Sequence, residues 1–256
     1  MDFECAKAFF YKQWIKTTRG WAELAWFTVY PLVALFTAGF FLQFLKGDPT
    51  AVVYFLVGTF VWNFYMLCQK GITYGLLYDV WAYCLKHTVV SKATIADFVL
   101  GNGLFGLVSG VASMLIANAF SIVFFQFNLL DAGIVLVAAL IAILLYSISE
   151  GLVINALVVL KGYQYQSLTW IVTGIIMVLS AVYYPVELLP AAVRPISFIL
   201  PTTHAIGAIR NAMLGKEFVF EALLGLGLSV VYVIAAMAVF SFALNKSRET
   251  GFLAKL

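Results

Sequence analysis

The sequence predicts an all-α, polytopic membrane protein with six transmembrane helices, an N-terminal amphipathic interface helix and outer re-entrant helices between spans five and six. Three observations carry that prediction. The 256-residue chain is 64% hydrophobic and 11% charged, whereas soluble domains average about 25% charged. Six apolar stretches run over residues 22–45, 51–68, 95–124, 132–160, 167–184 and 222–244. Each reaches the roughly 17–25 residues that a helix needs to cross the hydrocarbon, where backbone groups must be satisfied internally. The third observation is the placing of the basic residues. With a cytoplasmic N-terminus, Lys7, Lys12, Lys16, Arg19, Lys70, Lys86, Lys92, Lys161, Lys246, Arg248 and Lys255 fall inside. Only Lys46, Arg194, Arg210 and Lys216 fall outside. The positive-inside rule then puts both termini in the cytoplasm, the chain forming one membrane domain over residues 1–256 in the inner membrane.

Composition also excludes. A net charge of +3, dispersed along the chain, gives no argument for nucleic acid. Cys5, Cys68 and Cys84 fall in or near cytoplasmic segments and read as free thiols rather than a disulfide framework. The charged, aromatic first twenty residues do not read as a cleavable signal.

Residues 2–19 read as an amphipathic helix, with Phe3, Phe10 and Trp14 near one face and Lys7, Lys12, Lys16 and Arg19 on the polar remainder. Such a helix lies at the inner interface, its lysines toward anionic head groups. Span one opens with Trp21, Trp26 and Tyr30, an interfacial aromatic belt, and Pro31 is its kink candidate. A short outer turn at 46–50, with Gly47-Asp48-Pro49, makes spans one and two a hairpin.

The inner connection over 69–92 is longer than a hairpin needs. Asp79, Trp81, Tyr83, Lys86 and His87 mix large aromatics with charge. That composition suits either a surface helix docking into a groove of a soluble partner or an interfacial loop anchored by Trp81. Spans three and four meet at a short outer turn, 126–131. Span four contains Glu150, a carboxylate that costs roughly 2.5–3.5 kcal/mol at mid-span on insertion scales. It serves either substrate passage or interhelix hydrogen bonding. Trp62 and Tyr65 belong to an aromatic cluster in span two that either lines a pathway or packs. Asn63 and Asn155 are candidates for interhelix bridges.

After span five, Pro185, Pro190, Pro195 and Pro201 break an apolar stretch into pieces too short to span. Two short helices dipping into the outer leaflet over 185–216 fit this pattern, capping the outer end of a pathway. Span six returns the chain to Lys246 and Arg248.

Other chemistry is absent from the sequence. Gly101, Gly103 and Gly106 match G-x-G-x-x-G, but the run lies inside a span rather than between a strand and a helix. Close helix packing explains it, as it does Gly106 and Gly110. No G-x-x-x-x-G-K-[ST] is present. His87 and His204 stand far apart without metal-ligand spacing, and no nucleophile elbow or carboxylate pair supports catalysis.

Two segments together carry a resemblance. Ser180-Ala-Val-Tyr-Tyr-Pro185-Val-Glu-Leu-Leu-Pro190, followed by Pro201-Thr-Thr-His-Ala-Ile-Gly-Ala-Ile-Arg210, is similar to the closing signature of type-2 ABC exporter permeases. The inner segment from Asp79 to Lys92 resembles the coupling helix of that family and the turn after it. The N-terminal helix and the six-span order match over the whole chain, while the specific motifs cover about a fifth of it. Val89 and Lys92 replace a common proline and arginine, Ala181 a frequent glycine, and Leu200 a frequent asparagine.

The resemblance implies the membrane subunit of an ATP-driven exporter moving a lipid, drug or polysaccharide-type substrate. It implies a permease homodimer in membrane lipid bound to two copies of a separate ATPase subunit. That ATPase holds ATP and Mg, and this chain needs no cofactor or metal. On this reading Asp79, Trp81, Tyr83 and Lys86 couple to the ATPase. Trp62, Tyr65, Glu150 and Tyr184 belong to the substrate pathway, and Pro185, Pro190, Pro201 and Arg210 to the outer cap. Two alternatives stay open: an ion-coupled secondary transporter using Glu150, and a membrane scaffold that transports nothing.

Overall fold

The structure, a computed structural model, describes residues 2–44 and 49–251. The helices in chain order are α1 (Phe3–Arg19), α2 (Trp21–Phe44), α3 (Pro49–Trp81), α4 (Leu85–Val90), α5 (Ile95–Phe125), α6 (Ile134–Lys161), α7 (Leu168–Leu179), α8 (Arg194–Ile199), α9 (Pro201–Met213) and α10 (Val219–Glu249). Among the described residues there is no strand. Five helices are long and apolar enough to cross a membrane: α2, α3, α5, α6 and α10. With the outward faces of α2, α5 and α10 apolar and uncovered, the chain is a multi-pass membrane protein. The predicted outer turn at 46–50 falls mostly outside the described residues.

The stretch 167–184, expected as a full span, differs. Its helix α7 has 12 residues, about 18 Å at 1.5 Å per residue. Helix ends at Ser180 because Ala181 takes a left-handed conformation, φ 50°, and Pro185 cannot continue the ladder. A 3-10 turn over Tyr163–Ser167 precedes α7. The chain nonetheless travels far here. Tyr146 of α6 packs edge-on against Tyr232 of α10, and Ser247 of α10 donates to the Val159 carbonyl of α6 at 2.9 Å. These contacts make α6 and α10 parallel neighbours, so residues 162–218 must return the chain from the end of α6 to the level of its start. Two short helices, α8 and α9, do form between α7 and α10.

Helices α3 and α6 are the inner ones. In one half, Phe60 and Tyr65 of α3 pack with Ile143 of α6 and Ile206 of α9. In the other, Ile72 and Leu77 of α3 pack with Leu152 of α6 and Phe240 of α10. Span two is longer than its apolar stretch: α3 has 33 residues, about 50 Å, against roughly 30 Å of hydrocarbon. Much of the expected inner connection is therefore the end of this helix.

Helix α1 is bound to the bundle at both ends. The Asp2 N–H donates to Asp97 Oδ1 at 2.8 Å, and Asp97 also closes a capping box with Thr94 at the start of α5. Gln13, buried, donates to the Gly71 carbonyl at 3.0 Å and to Asn102 Oδ1 at 3.2 Å. The aromatic face expected from the sequence divides. Phe10 packs against Phe105, while Phe3 and Trp14 stay exposed.

The glycine run serves this packing. A Cβ on Gly101 would lie 2.2 Å from the Ala6 carbonyl oxygen of α1, and one on Gly106 would lie 2.9 Å from Cys68 Cα of α3. Both obstacles are backbone, so neither can turn aside. Gly101→Ala is therefore expected to push α1 off α5 at a cost of about 1–3 kcal/mol. Faster proteolysis within residues 2–19 of the folded protein would register it, and an unchanged cleavage rate would contradict the packing.

Candidate functional site

The C-terminal end of α3 forms an elbow. Helix stops at Trp81; Tyr83 is left-handed with φ 55°, an uncommon state for a bulky residue. The Cys84 N–H returns to the Asp79 carbonyl at 2.9 Å, and α4 starts after the break. The coupling residues expected on one surface helix thus divide between α3 (Asp79, Trp81), the break (Tyr83) and α4 (Lys86). The left-handed turn is what separates them.

Their exposures differ too. Tyr83 is 82% exposed and Trp81 44% exposed, and Lys86 is exposed. Asp79 is buried. It takes Lys12 Nζ on both oxygens at 2.9 and 3.0 Å and the Thr88 hydroxyl at 2.9 Å. It therefore joins α1, α3 and α4 from inside, leaving the surface to Tyr83, Lys86 and the outer edge of Trp81. The Trp81 indole N–H donates to Gln166 Oε1 at 2.8 Å, tying the elbow to the turn before α7. Beside it, Lys92 meets Asp2 at 2.5 Å. This contact holds the Asp2 carboxyl below its ordinary range and the Lys92 ammonium above its own.

In the middle of the bundle Glu150 is buried between three helices. It accepts from the Tyr65 hydroxyl of α3 and from the Thr173 hydroxyl of α7, the latter at 2.7 Å. Trp62 stacks on Tyr65 with ring centroids 4.8 Å apart. Trp62, Tyr65 and Glu150 therefore form one group, which Tyr184 does not join. The Tyr184 hydroxyl donates to the Val178 carbonyl at the far end of α7.

A cleft next to this group was not visible in the sequence. It is nearly closed, about 10 Å³, and lies between α2, α3 and α7. Trp26 and Trp170 meet across it edge to face at 5.6 Å. Gln69 Nε2 and the Thr169 hydroxyl line it, both buried and without a hydrogen-bond partner among the described residues. Lys70 stands beside them, paired with Glu23 at 2.8 Å and ringed by Trp26, Phe27 and Tyr74. Buried unpaired groups are rare in native structures and call for a reason. The only sequence signal was a glutamine and a lysine at the inner edge of an apolar run.

At the other end, Arg210 is a buried lock. Its guanidinium donates to the carbonyls of Ala181 at 3.1 Å, Tyr54 at 3.0 Å, Tyr184 at 3.5 Å and, closely, Val182. It also lies over the Tyr54 ring, 4.2 Å from the centroid. These are mainly the carbonyls that the unwound end of α7 leaves open. Of the cap prolines, Pro201 begins α9 and is buried, Pro185 precedes a 3-10 turn, and Pro190 is exposed. Behind them His204 bonds Glu221 of α10 at 2.5 Å and the Phe198 carbonyl at 2.8 Å.

A search of curated proteins returned no match. The family model described as ABC-2 type transporter matches residues 4–214, a stretch that holds α1, the elbow, the Glu150 group and the Arg210 lock. The chain therefore belongs to the ABC-2 type transporter family and is a multi-pass membrane permease.

Proposed function

We propose that this chain is the membrane half of an ATP-driven exporter in the cytoplasmic membrane, moving a lipid, drug or polysaccharide-type substrate outward. Two copies pair around a pathway, and two copies of a separate ATPase, which carry the ATP and Mg, bind at the inner side. The observation that carries this reading is the elbow: exposed Tyr83 and Lys86 held at the tip of a helix by a buried, fully engaged Asp79. An exposed aromatic beside a cation, on a rigid support, suits insertion into a partner's groove. Trp81 passes the contact to Gln166 and so to α7.

Orientation follows from the basic residues, with both termini cytoplasmic. The segment from Gln166 to Val182 is read as the sixth crossing. Its ends meet α3 near Trp81 and near Tyr54, positions 27 residues apart, or about 40 Å along a helix. Helix α1 is read as lying at the inner interface, with Phe3 and Trp14 toward lipid. Helices α8 and α9 dip into the outer leaflet as a cap locked by Arg210. The substrate pathway runs past the Trp26–Trp170 cleft and Trp62. A site for an ion-coupled carrier at Glu150 is not needed in an ABC-type permease, and the two hydrogen bonds at Glu150 suit a role in joining helices.

Trp81→Glu is expected to weaken ATPase association by about 2 kcal/mol, the scale of an interfacial aromatic hot spot, and to lose substrate-stimulated ATP hydrolysis together with transport. The measurement is made on the purified complex in vesicles. Full coupling in that variant would remove the docking role.

A further inference from the structure

A cavity on the inner side belongs neither to the pathway nor to the docking tip. It measures about 280 Å³ and lies behind α4, closed by α1, α3, α5 and the last turns of α10. Its walls are mainly apolar, with Leu85 and Val89 from α4, Phe98 from α5, and Phe240 and Leu244 from α10. It opens to the surface on one side, and an apolar recess favours an apolar occupant over water.

One cation at its mouth is left without a counter-charge. Arg248 stands there with one nitrogen donating to the Val89 carbonyl at 3.2 Å and no carboxylate partner among the described residues. The one carboxylate on the wall, Asp79, has both oxygens engaged by Lys12 and Thr88. Of the neighbouring cations, Lys92 is paired with Asp2 and Lys246 with Glu249, so Arg248 is the group left to meet an inner head group, where positive-inside placing puts this end of the bundle.

We infer that this cavity is a binding site for an anionic phospholipid of the inner leaflet, one acyl chain entering the cavity and the head group held by Arg248. A chain there fills the gap between α4 and α10 and fixes how far the elbow stands from the bundle. This inference needs no ATPase and no transport.

The test uses the full-length protein in vesicles of phosphatidylcholine, alone or mixed with phosphatidylglycerol. Each lipid is supplied in turn with a photoreactive group on its acyl chain, and labelled peptides are mapped. The expected result is labelling of the segments 85–89 and 240–248, stronger with phosphatidylglycerol. Arg248→Gln should reduce that preference about fivefold, the scale of one basic contact to an anionic head group. Leu244→Trp, which fills the cavity and keeps Arg248, should abolish labelling with either lipid. The inference is overturned if both variants label like the parent, which means attraction to the basic surface alone. It is equally overturned if the parent labels only outside these segments, or labels them without preference for phosphatidylglycerol.

Discussion

Arg210→Met is expected to destabilise the folded protein by at least about 3 kcal/mol and to loosen the C-terminal end of α7. A buried carbonyl left without a donor costs about 1–3 kcal/mol, and this guanidinium serves four, on two separate segments. Methionine fills part of the volume and replaces no hydrogen bond. Arg210→Lys should recover little, because a single ammonium cannot reproduce the planar fork that reaches Tyr54 and Val182 together. Thermal unfolding in detergent measures the loss. Melting of either variant within experimental error of the parent would contradict the lock. The stability loss should appear without any ATPase present, which separates it from a defect in coupling.

Asp79→Ala has the second large effect, and it acts at the opposite end. It leaves the Thr88 hydroxyl without its acceptor and Lys12 with the Gly75 carbonyl alone, at 3.0 Å, and frees α4 from α1. Breaking a buried ion pair costs about 3–5 kcal/mol; Lys12 is 34% exposed, so water screens part of this and about 2 kcal/mol is the expected figure. Asp79→Asn keeps an acceptor for Thr88 and should cost less. A double-mutant cycle with Lys12→Met isolates the pair, with an expected coupling of about 1 kcal/mol or more. In the complex, Asp79→Ala should also weaken ATPase binding and lower transport, since the support that holds Tyr83 and Lys86 is lost. A coupling energy of zero would show that the ammonium and the carboxylate do not depend on each other.

The sequence was most readable where one period and one solvent decide the outcome. Long apolar runs gave α2, α5, α6 and α10, and the Gly101 to Gly106 run was legible as packing because a phosphate loop has no place inside a span. The turn after α5 was legible in the same way; it opens at a left-handed Gln126. The short α7 was not, because apolar composition continues past Ser180 while the helix does not. Nothing local announces that Ala181 turns left-handed; the carbonyls it exposes accept from an arginine 29 residues later. Asp79 was misplaced for a similar reason. Beside Trp81 and Tyr83 it reads as a surface charge, and its partner Lys12 is 67 residues away. The Gln69–Thr169 cleft depends on two helices meeting, which no single stretch encodes.

The length of α3 has a mechanical consequence. Taken as a rigid lever pivoting at Tyr65, which Glu150 holds, α3 has unequal arms. Asp79 lies 14 residues to one side and Tyr54 11 residues to the other, arms of about 21 and 16 Å at 1.5 Å per residue. A sideways stroke at the elbow would therefore reach the opposite end reversed in direction and reduced by about a fifth. The close Gly106 contact, where a Cβ would lie 2.9 Å from Cys68 Cα, couples α5 to the same lever.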